Sequence, residues 1–186
     1  MSLRKMKTVA ILAGCLWWGG AQANVPFWGD KASQSVDTSA SGLKQGQWVW
    51  SPAQAPQGPI LVVVNLDQQL GYAYRNGVLI GWTTVSTGKK GYATPTGVFH
   101  TLQKDKDHRS SIYNSAAMPY TQRLTWGGVA LHAGGLPGYP SSHGCVHLPS
   151  AFAERLFEVS PMGMTVVVAK ASTAPLDLDH PMPISP

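Results

Sequence analysis

Asn76 and Gly77 separate two stretches of β-type sequence, and an Asn-Gly pair in this position is the strongest short-range signal for a tight hairpin. Before the pair, residues 70–75 alternate, with Tyr72 and Tyr74 on one face of the predicted strand. After it, residues 78–85 return as a second strand. Because a two-residue turn can join only antiparallel strands, this part of the chain is predicted to form antiparallel sheet.

Short apolar segments bounded by turn residues indicate further strands at residues 60–64, 97–102, 129–131 and 164–168. The 20 glycines and 14 prolines among 186 residues also favour strands and turns over long helices. Residues 149–157 have helical spacing, with Ser150 as the predicted N-cap. The sequence therefore predicts a mainly β fold, an antiparallel sandwich or barrel-like sheet, with one principal helix after Cys145.

The ends of the chain differ from its centre. Residues 1–23 are typical of a signal peptide, with a basic start, an apolar stretch and an Ala-Gln-Ala cleavage site. Residues 24–58 are polar and are predicted to form an extended lead-in, and residues 170–186 a proline-rich tail. We expect release into the periplasm or cell envelope after Ala23. Lipidation at Cys15 is the alternative, because residues 12–15 resemble a lipoprotein lipobox.

The positive charge of the chain lies largely in the predicted signal. The full sequence carries 14 basic and 9 acidic residues, a net charge of +5. Cleavage after Ala23 removes three basic residues, which leaves 11 against 9 and a net charge of +2. No basic stripe or helix remains, so the composition gives no support to nucleic acid as a partner.

Cys145 is predicted to be a nucleophile. The only other cysteine, Cys15, is in the signal, so the exported protein would hold one unpaired thiol in an oxidising compartment. Exported proteins usually pair or lose their cysteines, and a solitary one indicates a reactive role. Gly144 allows a sharp turn that leaves the backbone N–H groups of Gly144 and Cys145 facing a cavity. We expect an adjacent imidazole to lower the pKa of the thiol.

Three histidines accompany this thiol. His132 ends a predicted strand before a glycine-rich loop, which suits a rigidly held general base. His143 and His147 stand two residues on either side of Cys145, so in an extended segment all three point to the same side. A His-x-Cys-x-His zinc site is the alternative, but zinc sites normally have longer spacings, and a bound thiolate would be quenched. We predict no metal and no cofactor. No role is assigned to His100, His108 and His180.

Five short motifs occur in one order along the chain. They are Val-Ser-Thr-Gly at 85–88, Thr-Pro-Thr-Gly at 94–97, Met-Pro-Tyr at 118–120, Gly-Val-Ala-Leu-His at 128–132 and Ser-His-Gly-Cys-Val at 142–146. Together they closely resemble the L,D-transpeptidase catalytic domain (the YkuD-type fold) over residues 59–169. The resemblance implies a β-rich fold, an exported cell-wall location and a covalent thioester mechanism.

The resemblance also implies roles for individual residues. Cys145 would attack the carbonyl after the third residue of a peptidoglycan stem peptide, with His132 as the base and His143 supporting the site. The backbone N–H of Gly144, with those of its two neighbours, would form the oxyanion hole. Substrate-contacting positions would be Met118, Tyr120 and Ser142. An amine of a neighbouring stem, or of a wall-attached protein, would then resolve the thioester.

His147 departs from the family pattern, in which many members have Arg, and others Asn, two residues after the cysteine. An Arg would be permanently charged and could bind a carboxylate through two hydrogen bonds, whereas His is mostly neutral at pH 7. We expect His147 to keep a hydrogen-bonding role at the substrate and to make activity pH-sensitive. The sequence leaves open a hydrolase of the same fold, a non-catalytic wall-binding module and the oligomeric state.

Overall fold

The computed structural model describes residues 42–55, 57–111 and 113–170, and the backbone of residues 34–35. Its strands are β1 (Gln34–Ser35), β2 (Gln47–Trp50), β3 (Ile60–Asn65), β4 (Leu70–Arg75), β5 (Val78–Thr84), β6 (Gly97–His100), β7 (Gln103–Asp105), β8 (Thr121–Arg123), β9 (Ala130–Ala133), β10 (Val146–Leu148) and β11 (Thr165–Ala169). One α-helix, α1 (Ser150–Val159), and a 3-10 turn at Pro52–Gln54 complete the described elements. The predicted signal at residues 1–23, Cys15 and residues 171–186 lie outside the described residues.

The larger sheet contains seven of the described strands in the order β1-β2-β5-β4-β3-β11-β6. The predicted hairpin is confirmed, because β4 and β5 are antiparallel neighbours joined at Asn76 and Gly77. These two residues have φ values of 49° and 78°. Positive φ at both central positions is the requirement of a type I′ turn, which Asn and Gly meet at little steric cost.

Strand β11 lies between β3 and β6 in this sheet, parallel to β3 and antiparallel to β6. Its register places Val166 opposite Val62 and Val168 opposite Val64, and all four side chains are buried. β-Branched residues pack well on such a pleated surface. This packing explains why β3 and β11 pair although about a hundred residues separate them in the sequence.

The smaller sheet has four described strands in the order β10-β9-β8-β7, and β9 and β10 are parallel. Helix α1 packs against β9 and buries Phe152, Ala153 and Leu156 in a core that both sheets share. The prediction of a mainly β fold with one principal helix after Cys145 is therefore confirmed for the described part of the chain. None of its helices is long and apolar enough to cross a membrane.

Strand β2 pairs with β5, and Trp50 meets Phe152 at a ring-centroid distance of 5.3 Å, so part of the predicted lead-in packs on the domain. Two local details differ from the sequence predictions. The helix starts with Ser150 as its first residue, and Pro149 occupies the N-cap position without a side-chain hydrogen bond. Strand β6 ends at His100 because the chain then crosses to the smaller sheet.

Candidate active site

One face of the smaller sheet forms the floor of a cavity of about 360 Å³. Successive side chains of a strand point to opposite faces, so Leu131 faces the shared core while its neighbour His132 faces the cavity. On β10, His147 lines the cavity, between two residues whose side chains are buried in the core. Cys145, immediately before β10, also lines it. The sheet therefore gathers the predicted thiol and two of the predicted imidazoles on one surface.

The turn before Cys145 is held by a serine hydroxyl. Gly144 has a φ of +113°, a conformation that side chains other than glycine rarely adopt. The Ser142 hydroxyl donates to the carbonyl oxygen of Cys145 at 2.5 Å and accepts the N–H of Gly144 at 3.1 Å. The half-buried thiol of Cys145 points to the carbonyl oxygen of Gly128, with 3.4 Å between sulfur and oxygen. Ser142 thus shapes the loop that presents the sulfur.

Ser142 and Gly144 have local hydrogen-bond partners that the sequence did not predict. Ser142, which is predicted to contact substrate, lines the cavity, and its hydroxyl is bonded within the loop. The N–H of Gly144, expected to be an oxyanion donor, is already bonded to that hydroxyl. A single hydrogen-bond donor facing an oxyanion typically contributes about 3 kcal/mol to the transition state. For Gly144 to act in this way, its bond to Ser142 has to be released or shared.

His132 is buried, with 5% of its surface exposed, and its ring is fixed by the chain beside it. Its Nδ1 lies 2.8 Å from the carbonyl oxygen of Ala133. A carbonyl can only accept, so Nδ1 carries the proton, and Nε2 of the neutral ring is left with a free lone pair. This is the tautomer that a general base needs at Nε2.

Burial sets the protonation states of the thiol and the imidazole. Desolvation, helped by nearby His147, lowers the pKa of His132 to about 3, so the ring is neutral at pH 7. Burial also raises the pKa of the Cys145 thiol, although a hydrogen bond from the Ala130 backbone and the charge of Arg123 oppose that rise. The expectation of a lowered thiol pKa is therefore corrected. The resting site holds a neutral thiol and a neutral ring, and no thiolate–imidazolium pair.

His143 lies at the edge of the cavity, between two tyrosines. Its exposed ring stacks on Tyr113 and meets the edge of Tyr92, each at a centroid distance of 4.6 Å. Tyr113 belongs to the β7–β8 arm, which we define as residues 106–120 and which covers one side of the cavity. His143 therefore contacts the arm, an arrangement consistent with the supporting position expected for it.

The Met-Pro-Tyr motif at residues 118–120 is divided between the cavity and the helix. Met118 lines the cavity, as expected for a substrate wall. Tyr120 has a φ of 58°, its hydroxyl donates to Glu154 at 2.8 Å, and its ring packs against Phe157. The structure therefore places Tyr120 against α1 rather than with Met118 in the cavity wall. The three-residue motif alone does not predict that Met118 and Tyr120 lie on different sides, or that Tyr120 has a positive φ.

Two further residues with basic side chains, Arg123 and His108, line the cavity and were given no role from the sequence. Arg123 lies on β8, in the segment Thr-Gln-Arg-Leu at 121–124. Polar and apolar residues alternate only weakly there, so the sequence does not clearly predict a strand. His108, on the β7–β8 arm, lies 3.0 Å from Asp105 through its Nδ1. Pairing between distant strands brings these residues to the cavity, because β8 pairs with β9 and β7, which leads into the arm, pairs with β8. Among the described residues, no group of three His, Cys, Asp or Glu side chains is arranged to hold a metal.

Comparison with known proteins identifies the family. The model of the L,D-transpeptidase catalytic domain (YkuD) matches residues 59–168, more than half of the chain. The chain belongs to this family. No match was found among curated protein sequences.

Solved structures of L,D-transpeptidases have the same fold. An L,D-transpeptidase from Stackebrandtia nassauensis is 30% identical, with a TM-score of 0.54, covering 62% of this chain and 58% of that one. One from Mycobacterium smegmatis is 23% identical, with a TM-score of 0.56 and coverages of 59% and 58%. L,D-transpeptidase 3 from Mycobacterium tuberculosis, solved with a faropenem-derived adduct, is 22% identical, with a TM-score of 0.57 and 60% of each chain covered. The chain thus spans less than two thirds of each of these solved chains.

Within this L,D-transpeptidase domain, His147 occupies the position at which many members have Arg or Asn. Its Nδ1 donates to the carbonyl oxygen of Gly135 at 2.9 Å, so this ring is also held by the backbone. The ring lies against Gly134, where a Cβ atom would come within 2.5 Å of the His147 Cγ. Burial lowers the pKa of His147, so the side chain adds no positive charge at pH 7.

Proposed function

We propose that this protein is an exported L,D-transpeptidase that acts on peptidoglycan stem peptides through a thioester on Cys145. The observation that supports the proposal is that one thiol, of Cys145, and one buried imidazole, of His132, line the same cavity. The imidazole of His132 has its Nδ1 proton fixed on a backbone carbonyl, and its Nε2 is free to accept a proton. Such a pair is the arrangement that nucleophilic acyl transfer requires.

The neutral resting state determines how the first step proceeds. The Cys145 sulfur attacks the carbonyl carbon after the third stem residue while the thiol proton passes to Nε2 of His132. The carbonyl oxygen becomes an oxyanion, which backbone N–H groups of the loop before β10 stabilise. The tetrahedral intermediate then expels the terminal D-alanine, whose amine takes the proton from His132. The acyl group is left on sulfur as a thioester.

The second step reverses the first with a new nucleophile. An amine of a neighbouring stem peptide gives a proton to His132 and attacks the thioester carbonyl. The carbon–sulfur bond breaks, the new amide forms, and the proton returns to the Cys145 thiol. A wall-attached protein that offers an amine could be joined by the same chemistry, and water in place of the amine would give hydrolysis.

Purified tetrapeptide muropeptides and mass spectrometry test the proposal. Cross-linked dimers would establish transpeptidation, whereas tripeptides alone would mean that water is the acceptor. No change in the substrate would contradict both forms of the proposal. The matched control is Cys145→Ala, which keeps the loop sequence and removes the sulfur.

A penem gives an independent test of the thiol, because L,D-transpeptidase 3 from Mycobacterium tuberculosis was solved with a faropenem-derived adduct. We expect faropenem to add covalently to Cys145 and to leave the Cys145→Ala variant unmodified. A folded protein without any adduct would favour a non-catalytic wall-binding module.

Export is proposed from the sequence of residues 1–23, and the N-terminus of the protein isolated from cells tests it. A mature chain that begins at Asn24 would establish cleavage after Ala23. A lipidated Cys15 at the N-terminus would instead establish a membrane-anchored lipoprotein.

A further inference from the structure

Arg123 projects from β8 into the cavity that contains Cys145. It lies opposite Ala130 of β9, one pair away from the pairing of Gln122 with Leu131. Ala130 and Cys145 both line this cavity. Arg123 and the thiol of Cys145 therefore line one cavity, with β9 between β8 and β10 in the sheet.

The charge of Arg123 has no counter-ion within the described part of the chain. Its Nε donates to the neutral amide oxygen of Gln103 at 2.9 Å. The ion pair found among the described residues joins His108 to Asp105, and no Asp or Glu of that part of the chain lines the cavity. A guanidinium is always charged and keeps four further N–H donors beyond Nε. A half-buried cation of this kind provides a site for an anion that comes from solution.

The residue at position 147 strengthens this interpretation. In many members of the family, an Arg two residues after the cysteine could hold a carboxylate, but this chain has the neutral ring of His147 there. Arg123 reaches the same cavity from β8 and supplies a permanent positive charge on its wall.

We propose that Arg123 binds the free C-terminal carboxylate of the donor peptide whose acyl group is transferred to Cys145. This inference rests on the proposed function and specifies its substrate as a peptide that ends one residue beyond the cleaved bond. A tetrapeptide stem has its carboxylate at that position. A planar guanidinium can hold the two carboxylate oxygens side by side, which fixes the position of the reacting carbonyl as well as adding affinity.

Arg123 also favours the thiolate, because its charge opposes the rise of the Cys145 pKa. Loss of Arg123 would therefore slow acylation by any donor, with or without a carboxylate. A fall in activity alone would not identify the carboxylate contact. The informative quantity is the ratio of kcat/KM for two donors that differ only in that group.

The experiment compares a tetrapeptide donor with a free C-terminus and the same tetrapeptide as its C-terminal amide, by release of D-alanine or D-alaninamide. Wild-type protein should prefer the free acid by roughly 10- to 100-fold, the range expected for a hydrogen bond to a charged group. The variant R123Q should bring this preference close to unity, while R123K should keep part of it. The matched control R155Q removes an Arg on the exposed side of α1 and should keep the full preference. Circular dichroism establishes that each variant is folded.

The outcomes separate this inference from the proposed function. Equal turnover of acid and amide by wild type, or an undiminished preference in R123Q, would overturn the role of Arg123 while leaving the transpeptidase intact. Failure of wild type to process either donor, together with failure to react with faropenem, would overturn the proposed function and this inference with it.

Discussion

His132 and His147 are neighbours across the parallel pair of strands β9 and β10, with ring centroids 4.8 Å apart. Each ring donates its Nδ1 proton to a backbone carbonyl, one at Ala133 and the other at Gly135. Both pKa values are lowered, because each ring is buried. The two imidazoles are therefore held neutral and in a defined tautomer by the same short stretch of chain.

Acid should destabilise the fold through His132. Its folded-state pKa is about 3, well below the value of about 6.5 in an unfolded chain. Between these two values only the unfolded state binds the proton, so the free energy of unfolding falls as pH falls, by at most about 1.4 kcal/mol per pH unit. Urea unfolding at pH 7 and pH 5 measures the slope.

The His132→Gln variant should show a shallower dependence of unfolding free energy on pH than wild type. Replacement of the exposed His100 by Gln serves as the matched control and should leave the slope unchanged. Parallel slopes for wild type and His132→Gln would contradict the burial argument.

His147 should contribute to the loss of activity in acid. A proton on His147 would put a positive charge beside His132 and oppose the transfer of the thiol proton to that ring. We expect His147→Gln, which stays neutral, to lose activity less steeply than wild type as the pH falls below 6.5. The measurement is the pH profile of kcat/KM with the tetrapeptide donor. His147→Arg, with its charge fixed, should lack the part of the profile that His147 contributes.

A methyl group at Gly134 should disturb the site more than the fold. The Cβ of an Ala there would lie 2.5 Å from Cγ of His147, so the imidazole would have to move. We expect Gly134→Ala to lower kcat/KM by at least about tenfold, because a displaced ring no longer packs on His132. The control is Gly127→Ala, also at the cavity, where the nearest atom would be Thr125 Oγ1 at an ordinary 3.7 Å. Equal activity of the two variants would count against the role of the close contact.

Lys104 should stabilise the C-terminal end of α1. Its Nζ donates to the carbonyl oxygens of Phe157 and Ser160 at 2.5 and 2.6 Å and lies 4.2 Å from the Phe157 ring centroid. A cation at the C-terminal end of a helix also interacts favourably with the helix dipole. We expect Lys104→Met to lower the free energy of unfolding by about 1–3 kcal/mol in urea denaturation. Lys106→Met, at an exposed position on the β7–β8 arm, should have an effect below about 0.5 kcal/mol.

Local signals were sufficient for much of the fold and for singling out two residues that line the cavity. The Asn76–Gly77 hairpin and the helix after Cys145 depend on neighbours in sequence, and both are present. His132 and Cys145 were predicted because a strand end and a glycine turn are recognisable in short segments. Their placement on one cavity wall follows from period-two alternation along β9 and β10.

What could not be predicted depends on burial and on distant strands. Arg123 reaches the cavity only because β8 pairs with β9, and the pKa of Cys145 rises because the thiol is covered by segments far away in sequence. Tyr120 has a positive φ and its hydroxyl donates to Glu154. A tyrosine at this position does not predict such a backbone conformation. These properties arise from the assembled structure, and a motif of five or six residues does not contain them.

The position of β11 has a consequence for how the chain can mature. Because its residues, Thr165–Ala169, fill the space between β3 and β6, the seven-stranded sheet cannot close until residues 165–169 have been made. A nascent chain that stops short of residue 165 would leave both of those strands with an exposed edge. We therefore expect this sheet to be completed late, and ribosome-bound fragments that lack residues 165–169 should stay open to proteases.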